Sequence, residues 1–207
     1  MVKKLHLTLL FFTLTICCFA QDTKPSITPD DFPITNNLLT QHKDPYPEGD
    51  HVWFTNTELK QTLVFELGTD YHRYKTYLFY NNIIPEDLLN DDWFSSAQNT
   101  SNKVEVFKTY IKNATPINKN YFTSLQGIEL GQTKKQILTL YPYSADEVTV
   151  TEDLEKYTWN FIGNIIVDLQ PEIQNDKPLA KSSFGYHFTT YFKNDILVGL
   201  ILVNDIP

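Results

Sequence analysis

The sequence predicts an α+β fold, in which an antiparallel β-meander sheet packs against a few helices. One well-marked helix is followed by a run of short segments rich in β-branched and aromatic residues, as expected for helix on sheet. The chain of 207 residues is 42% hydrophobic and 14% aromatic, and its single Met is the first residue. Aromatic residues, Ile and Leu must therefore fill the core, which favours sheets.

The N-terminus has the three parts of a cleavable secretory signal. Lys3 and Lys4 carry positive charge, an apolar run extends from Leu7 to Phe19, and small residues stand before a cut between Ala20 and Gln21. The run is shorter than the ~20 apolar residues of a membrane anchor. A lipoprotein is the alternative, although Cys17 and Cys18 lack the small residue expected before a lipid acceptor. We expect residues 1–20 to be removed and the protein to be periplasmic or extracellular, without a transmembrane anchor.

The composition after the signal restricts the partners. Removal of 20 residues leaves 187 without cysteine, so no disulfide is available and the core alone must hold the fold. All 25 acidic residues but only 15 of the 17 basic ones remain, which gives a formal charge of −10. Such a charge disfavours nucleic acid and anionic membrane surfaces and attracts a basic protein.

The first half of the mature chain divides into a leader and an α+β subdomain. Residues 21–50 contain five prolines and are predicted to form an extended leader. Residues 51–115 are predicted to form the N-terminal subdomain, with a turn at Gly68-Thr69-Asp70, a first helical turn at Pro85-Glu86-Asp87 and a helix over Lys103–Lys112. Its strands are predicted at 52–54, 62–67 and 71–80.

Residues 120–207 are predicted to form a helix-plus-meander subdomain. Thr133 and Gln136 have the spacing of a capping box, and Pro142 ends the helix. Asn194-Asp195 is typical of a tight hairpin, because both residues tolerate positive φ. Strands are predicted at 147–150, 157–161, 165–169, 186–192 and 196–203.

A weak internal sequence similarity raises the alternative of two similar α+β halves. Tyr71-His72 precedes an Asn pair at the end of its strand, and Tyr186-His187 precedes Asn194-Asp195 in the same manner. Chance similarity between aromatic strands is the simpler explanation.

The segment Gly127–Leu138, GIELGQTKKQIL, resembles the opening of small exported envelope domains of the SmpA/OmlA (BamE-like) type. The resemblance covers about a dozen residues. It implies a Gly-Thr turn that begins a helix packed on a β-meander, and a role in protein–protein contact without catalysis.

The most concentrated polar set is Asp70-Tyr71-His72-Arg73, and Arg73 is the only arginine of the chain. The planar guanidinium of arginine binds carboxylate or phosphate through two hydrogen bonds, and histidine titrates near neutral pH. These four residues, together with His187, are therefore candidates for ligand or partner binding. The alternative is a structural ion pair at a strand end, because alternation places Tyr71 and Arg73 on one face and Asp70 and His72 on the other.

Motifs that would identify a reaction are missing from the sequence. The chain has no Gly-x-Ser-x-Gly element, no phosphate loop and no closely spaced His pair, so no cofactor and no metal site are expected. The leading hypothesis is therefore an exported, non-enzymatic module of the bacterial cell envelope that binds a protein or another envelope component. The alternatives are an inhibitor or immunity protein against a basic effector, and a hydrolase using His72 with Asp70 or His187.

Overall fold

Strands dominate the α+β architecture. The computed structural model describes residues 26–27, 30–33, 51–67, 73–83, 103–169, 176–181 and 184–205. The elements in chain order are β1 (Ser26–Ile27), β2 (His51–Asn56), β3 (Gln61–Leu67), β4 (Arg73–Tyr80), α1 (Lys103–Asn113), β5 (Thr115–Pro116), a 3-10 turn (Lys119–Tyr121), α2 (Lys134–Leu140), β6 (Glu147–Val150), β7 (Glu155–Ile162), α3 (Asn164–Leu169), β8 (Leu179–Ala180), β9 (Gly185–Lys193) and β10 (Ile196–Asp205).

Eight of the strands form one sheet in the order β5-β2-β3-β4-β10-β9-β7-β6. All neighbours are antiparallel except β2 and β5. Strands β4 and β10 pair from Lys75 opposite Val203 to Phe79 opposite Gly199. The ranges 51–115 and 120–207 therefore contribute to a single continuous sheet.

Period-two alternation gives the sheet two apolar faces, named here after the helices that pack on them. The α2 face is the larger, and residues from α2 and the 122–130 loop cover it. Its buried strand residues are Val52, Phe54, Leu63, Phe65, Leu78, Trp159, Phe161, Tyr186, Phe188, Phe192, Leu197, Leu200 and Leu202. On the α1 face, Phe107 of α1 packs its ring 5.0 Å from that of Trp53 and 5.4 Å from that of Phe79. Helix α1 thus covers the part of this face formed by β2, β3 and β4.

The capping box at the start of α2 is confirmed. The Gln136 N–H donates to Thr133 Oγ1 (3.3 Å), and the Thr133 N–H donates to Gln136 Oε1 (2.8 Å). Gly131 has a φ of 94°, a left-handed conformation that turns the chain into the helix. The helix ends at Leu140, before Pro142, as predicted.

The predicted Asn194-Asp195 hairpin is also confirmed. Both residues have positive φ, 50° and 63°, as a two-residue turn of the primed type requires. Lys134 of α2 ties the helix to this hairpin, because its ammonium contacts Asp195 (2.6 Å) and Glu155 (2.9 Å). These two carboxylates raise the pKa of Lys134.

One of the predicted strands is wrong. Residues 165–169 belong to α3, which begins with the Val167 N–H donating to the Gly163 carbonyl (3.3 Å). Strand β7 leaves its partner β9 at Ile162 opposite Gly185, so the chain must turn away there. Tertiary context thus overrides the β preference of Ile and Val.

The helix predicted at 103–112 is confirmed as α1, whereas the predictions for 68–70 and 85–87 lie outside the described residues.

Part of the predicted leader packs against the body. Ser26 and Ile27 pair in parallel with β8, and Phe32 is fully buried. Buried Asp30 holds the 124–128 turn, because its carboxylate accepts from Ser124 Oγ (2.7 Å) and from the Gln126 N–H (3.2 Å).

Among the helices in the described ranges, none is both long enough and apolar enough to cross a membrane.

Substituting Asp30 with Asn is expected to remove a pH-dependent part of the stability. Burial raises the pKa of Asp30, and the bonds from Ser124 and Gln126 only partly oppose it. The folded protein therefore binds a proton more readily at Asp30 than the unfolded chain does. Asp30 makes its whole contribution to stability at pH values below its pKa in the unfolded chain, about 3.9. That contribution is lost as the pH rises through the pKa of Asp30 in the folded protein.

Urea unfolding of the wild type and of Asp30→Asn at several pH values, from about 7 down to about 4, measures this contribution. The free energy of unfolding of the wild type should increase relative to that of the variant as pH falls. A difference that stays constant over this range would contradict the prediction.

Candidate binding face

The part of the α1 face beyond helix α1 carries polar side chains. Across neighbouring strands, Lys75 lies opposite Val203, Val203 opposite His187, and His187 opposite Asn160. Directly opposed residues of antiparallel strands project to the same side, so these four share one face. The surrounding side chains line a depression of about 250 Å³, and we call the lining residues the open face: Lys75, Tyr77, Glu147, Lys156, Thr158, His187, Thr189, Ile201 and Val203.

His187 is held by neighbours on the same side of the sheet. Its Nδ1 is hydrogen-bonded to the side-chain oxygen Oδ1 of Asn160. The Asn160 N–H donates to Asp146 Oδ2 (2.6 Å), and Asp146 Oδ1 lies 2.7 Å from the ammonium of buried Lys177. Asn160 thus contacts His187 through its side chain and the Asp146–Lys177 ion pair through its backbone.

A second polar cluster borders the open face at β4. The Lys75 ammonium lies 3.0 Å from Glu66 Oε2, and the same oxygen lies 3.7 Å from His51 Nε2. The His51 side chain is fully buried, and Glu66 and Lys75 are only 14% and 23% exposed. This cluster positions the lysine ammonium at the margin of the depression.

The remaining side chains combine hydroxyls, charges and buried apolar groups. The hydroxyls of Thr158 and Thr189 lie 3.1 Å apart, so they share one hydrogen bond across β7 and β9. Ile201 lies opposite Thr189 and Tyr77 opposite Ile201, and both apolar side chains are buried. Lys156 and Glu147 supply one charge of each sign. Such a surface can bind a ligand that has both polar and apolar groups.

Of the five predicted site residues, His187 is the one whose side chain the structure describes. Arg73 begins β4 opposite Leu67, two residues before Lys75, and its side chain lies outside the described residues. Asp70, Tyr71 and His72 also lie outside the described residues, so their grouping with His187 stays a prediction.

Sequence reasoning missed Lys75, Lys156, Thr158 and Thr189. A signal for them was present in β7, where Lys156, Thr158 and Asn160 alternate with Tyr157, Trp159 and Phe161. A strand with one aromatic and one polar side packs one side on the core and leaves the other open.

Among the described residues, no group of three or more His, Cys, Asp or Glu side chains could hold a metal ion.

Comparisons of the chain with protein-family models, with curated proteins and with solved structures give no match. The likeness of Gly127–Leu138 to envelope domains stays a prediction, and the geometry of the open face carries the functional argument.

Proposed function

We propose that this protein is an exported, non-catalytic module of the cell envelope that binds a protein or another envelope component on its open face. The observation that carries the proposal is His187, which stands half-buried among hydroxyl, lysine and apolar side chains from five neighbouring strands. Prearranged polar groups beside buried apolar side chains are typical of binding sites.

The sequence has no Gly-x-Ser-x-Gly element and no phosphate loop, which favours binding over catalysis. The hydrolase that uses His72 with Asp70 or His187 is a separate hypothesis, which activity assays of His72→Ala would test.

The His187→Ala substitution is expected to weaken ligand binding about tenfold, because one hydrogen-bonding group is lost from a partly desolvated site. Amide NMR spectra of the exported protein, whose N-terminus we expect at Gln21, can be recorded with soluble peptidoglycan fragments and with total periplasmic protein. Shift changes should cluster around Lys75, Thr158, His187 and Thr189.

Lys135→Ala is the matched control. Lys135 is an exposed lysine of α2, which packs on the opposite face of the sheet. Its removal should leave the shift changes intact. Equal effects of His187→Ala and Lys135→Ala, or shift changes confined to α2, would exclude the open face as the site.

A further inference from the structure

Strand β6 forms an edge of the sheet beside the open face. Within the described residues it pairs with β7 alone, and its four side chains are exposed. Val148 and Val150 are 50% and 67% exposed. Natural edge strands are commonly protected by lysine, proline or a bulge, and Glu-Val-Thr-Val contains neither of those residues and pairs in unbroken register.

The ladder register tells which backbone groups of β6 point outward. At the β6–β7 turn the Thr151 N–H donates to the Leu154 carbonyl (2.9 Å), so this pair is hydrogen-bonded. Hydrogen-bonded and non-bonded pairs alternate along an antiparallel ladder. Thr149 and Glu147 are therefore bonded to β7, and the N–H and C=O groups of Val148 and Val150 point away from it. They offer two donors and two acceptors to another strand.

Negative charge lies at both ends of this edge. The segment from Asp146 to Glu155 has five acidic residues and no basic one. Lys177 pairs with Asp146, Lys134 pairs with Glu155, and the Lys193 ammonium lies 3.9 Å from Asp153. Glu147 and Glu152 make no ion pair with any residue of the described ranges, so the two valines stand between two uncompensated carboxylates.

We propose that β6 binds an extended basic segment of a partner protein, which adds a strand to the sheet. Addition of a strand supplies affinity through backbone hydrogen bonds and specificity through alternate side chains. Lysine or arginine at both ends of the segment would meet Glu147 and Glu152, and apolar residues between them would cover Val148 and Val150. The inference rests on the proposed function, since the added strand would extend the open face.

A second copy of this chain fits the edge less well. Two β6 strands paired antiparallel about a two-fold axis would bring Glu147 of each copy toward the acidic 151–153 turn of the other. The charge of −10 on the mature chain adds further repulsion. A basic segment replaces this repulsion with attraction.

The test uses the exported protein and a fluorescent Lys-Val-Thr-Val-Thr-Lys peptide, with binding followed by anisotropy. The Glu-Val-Thr-Val-Thr-Glu peptide is the charge control. We expect the lysine peptide to bind at least about tenfold more tightly, and the preference to shrink as salt is added. Glu152→Lys should reduce that preference.

Val148→Pro tests the backbone contacts. It removes an outward N–H while the bonds of Thr149 and Glu147 to β7 remain, and proline is tolerated at such edge positions. We expect it to weaken lysine-peptide binding at least about tenfold, whereas Val148→Thr, which keeps the N–H, should change binding by less than about threefold. Retained hydrogen-exchange protection at Thr149 verifies that β6 still pairs with β7.

Three outcomes would overturn the inference: no binding of the lysine peptide at about 1 mM, equal binding of both peptides, or unchanged binding by Val148→Pro. A dimer that Val148→Pro dissociates would assign the edge to a second copy instead. If only the peptide experiment fails, the effect of His187→Ala on open-face shifts remains and the proposed function stands. If His187→Ala has no effect, the proposed function fails whatever the peptide does.

Discussion

Replacing Trp159 with alanine is expected to lower the free energy of unfolding by about 4 kcal/mol. Trp159 is fully buried in the α2 face, with its ring centroid 5.5 Å from that of Phe188 and 6.0 Å from that of Tyr141. Its Nε1–H also donates to the Tyr143 carbonyl (2.9 Å). The substitution would leave a large cavity and a carbonyl without its donor. Urea unfolding followed by far-UV circular dichroism measures the loss.

Two control variants separate the contributions at Trp159. Trp159→Phe keeps most of the ring volume but loses the bond to Tyr143, so it should cost about 1–2 kcal/mol. Leu125→Ala, at a 71% exposed position, should change the stability by less than about 0.5 kcal/mol. If Trp159→Ala cost no more than Trp159→Phe, the packing of the α2 face would have to differ from that described.

Replacing Phe107 with alanine is expected to cost about 3 kcal/mol and to loosen α1 from the sheet. Phe107 is the one buried residue of α1, and it contacts the rings of Trp53 and Phe79. An isolated helix of 11 residues is marginal in water, so α1 depends on this contact. Hydrogen exchange at the α1 amides, together with urea unfolding, reports both effects.

Val104→Ala is the control for α1. Val104 lies on the same helix and is 42% exposed, so its truncation should cost well under about 1 kcal/mol. Amides of α1 that keep wild-type protection in Phe107→Ala would show that other contacts hold the helix.

The elements that the sequence predicted well are those with a local signal. Thr133 and Gln136 lie three residues apart, and the side chain of each accepts from the backbone N–H of the other. Asn194-Asp195 needs only the conformational preference of its two residues. The strand predicted over residues 165–169 depended only on the β preference of Ile and Val, which tertiary context overrode. The direction of the chain after β7 decided between strand and helix.

The candidate site shows a similar division. His187 was predicted as a residue that could lie close to His72; it lies on the open face, and its grouping with His72 stays a prediction. Lys75 was missed because its place beside Val203 depends on pairing between strands that are remote in sequence. The prominence of Arg73 as the only arginine drew attention to a segment of which the structure describes only the backbone of Arg73 itself.

The sequence by itself determined the α+β class, the cap of α2, the β9–β10 hairpin and the aromatic composition of the core, because each depends on residues close in the chain or on totals. Tertiary structure alone decided that β4 lies beside β10, that α1 covers one half of its face, and that β6 forms an edge between acidic residues. Alternation along a strand places side chains on one of two faces, but it carries no information about which strand comes next. Neighbouring strands are chosen by the combined burial of both faces, and that is a property of the whole sheet.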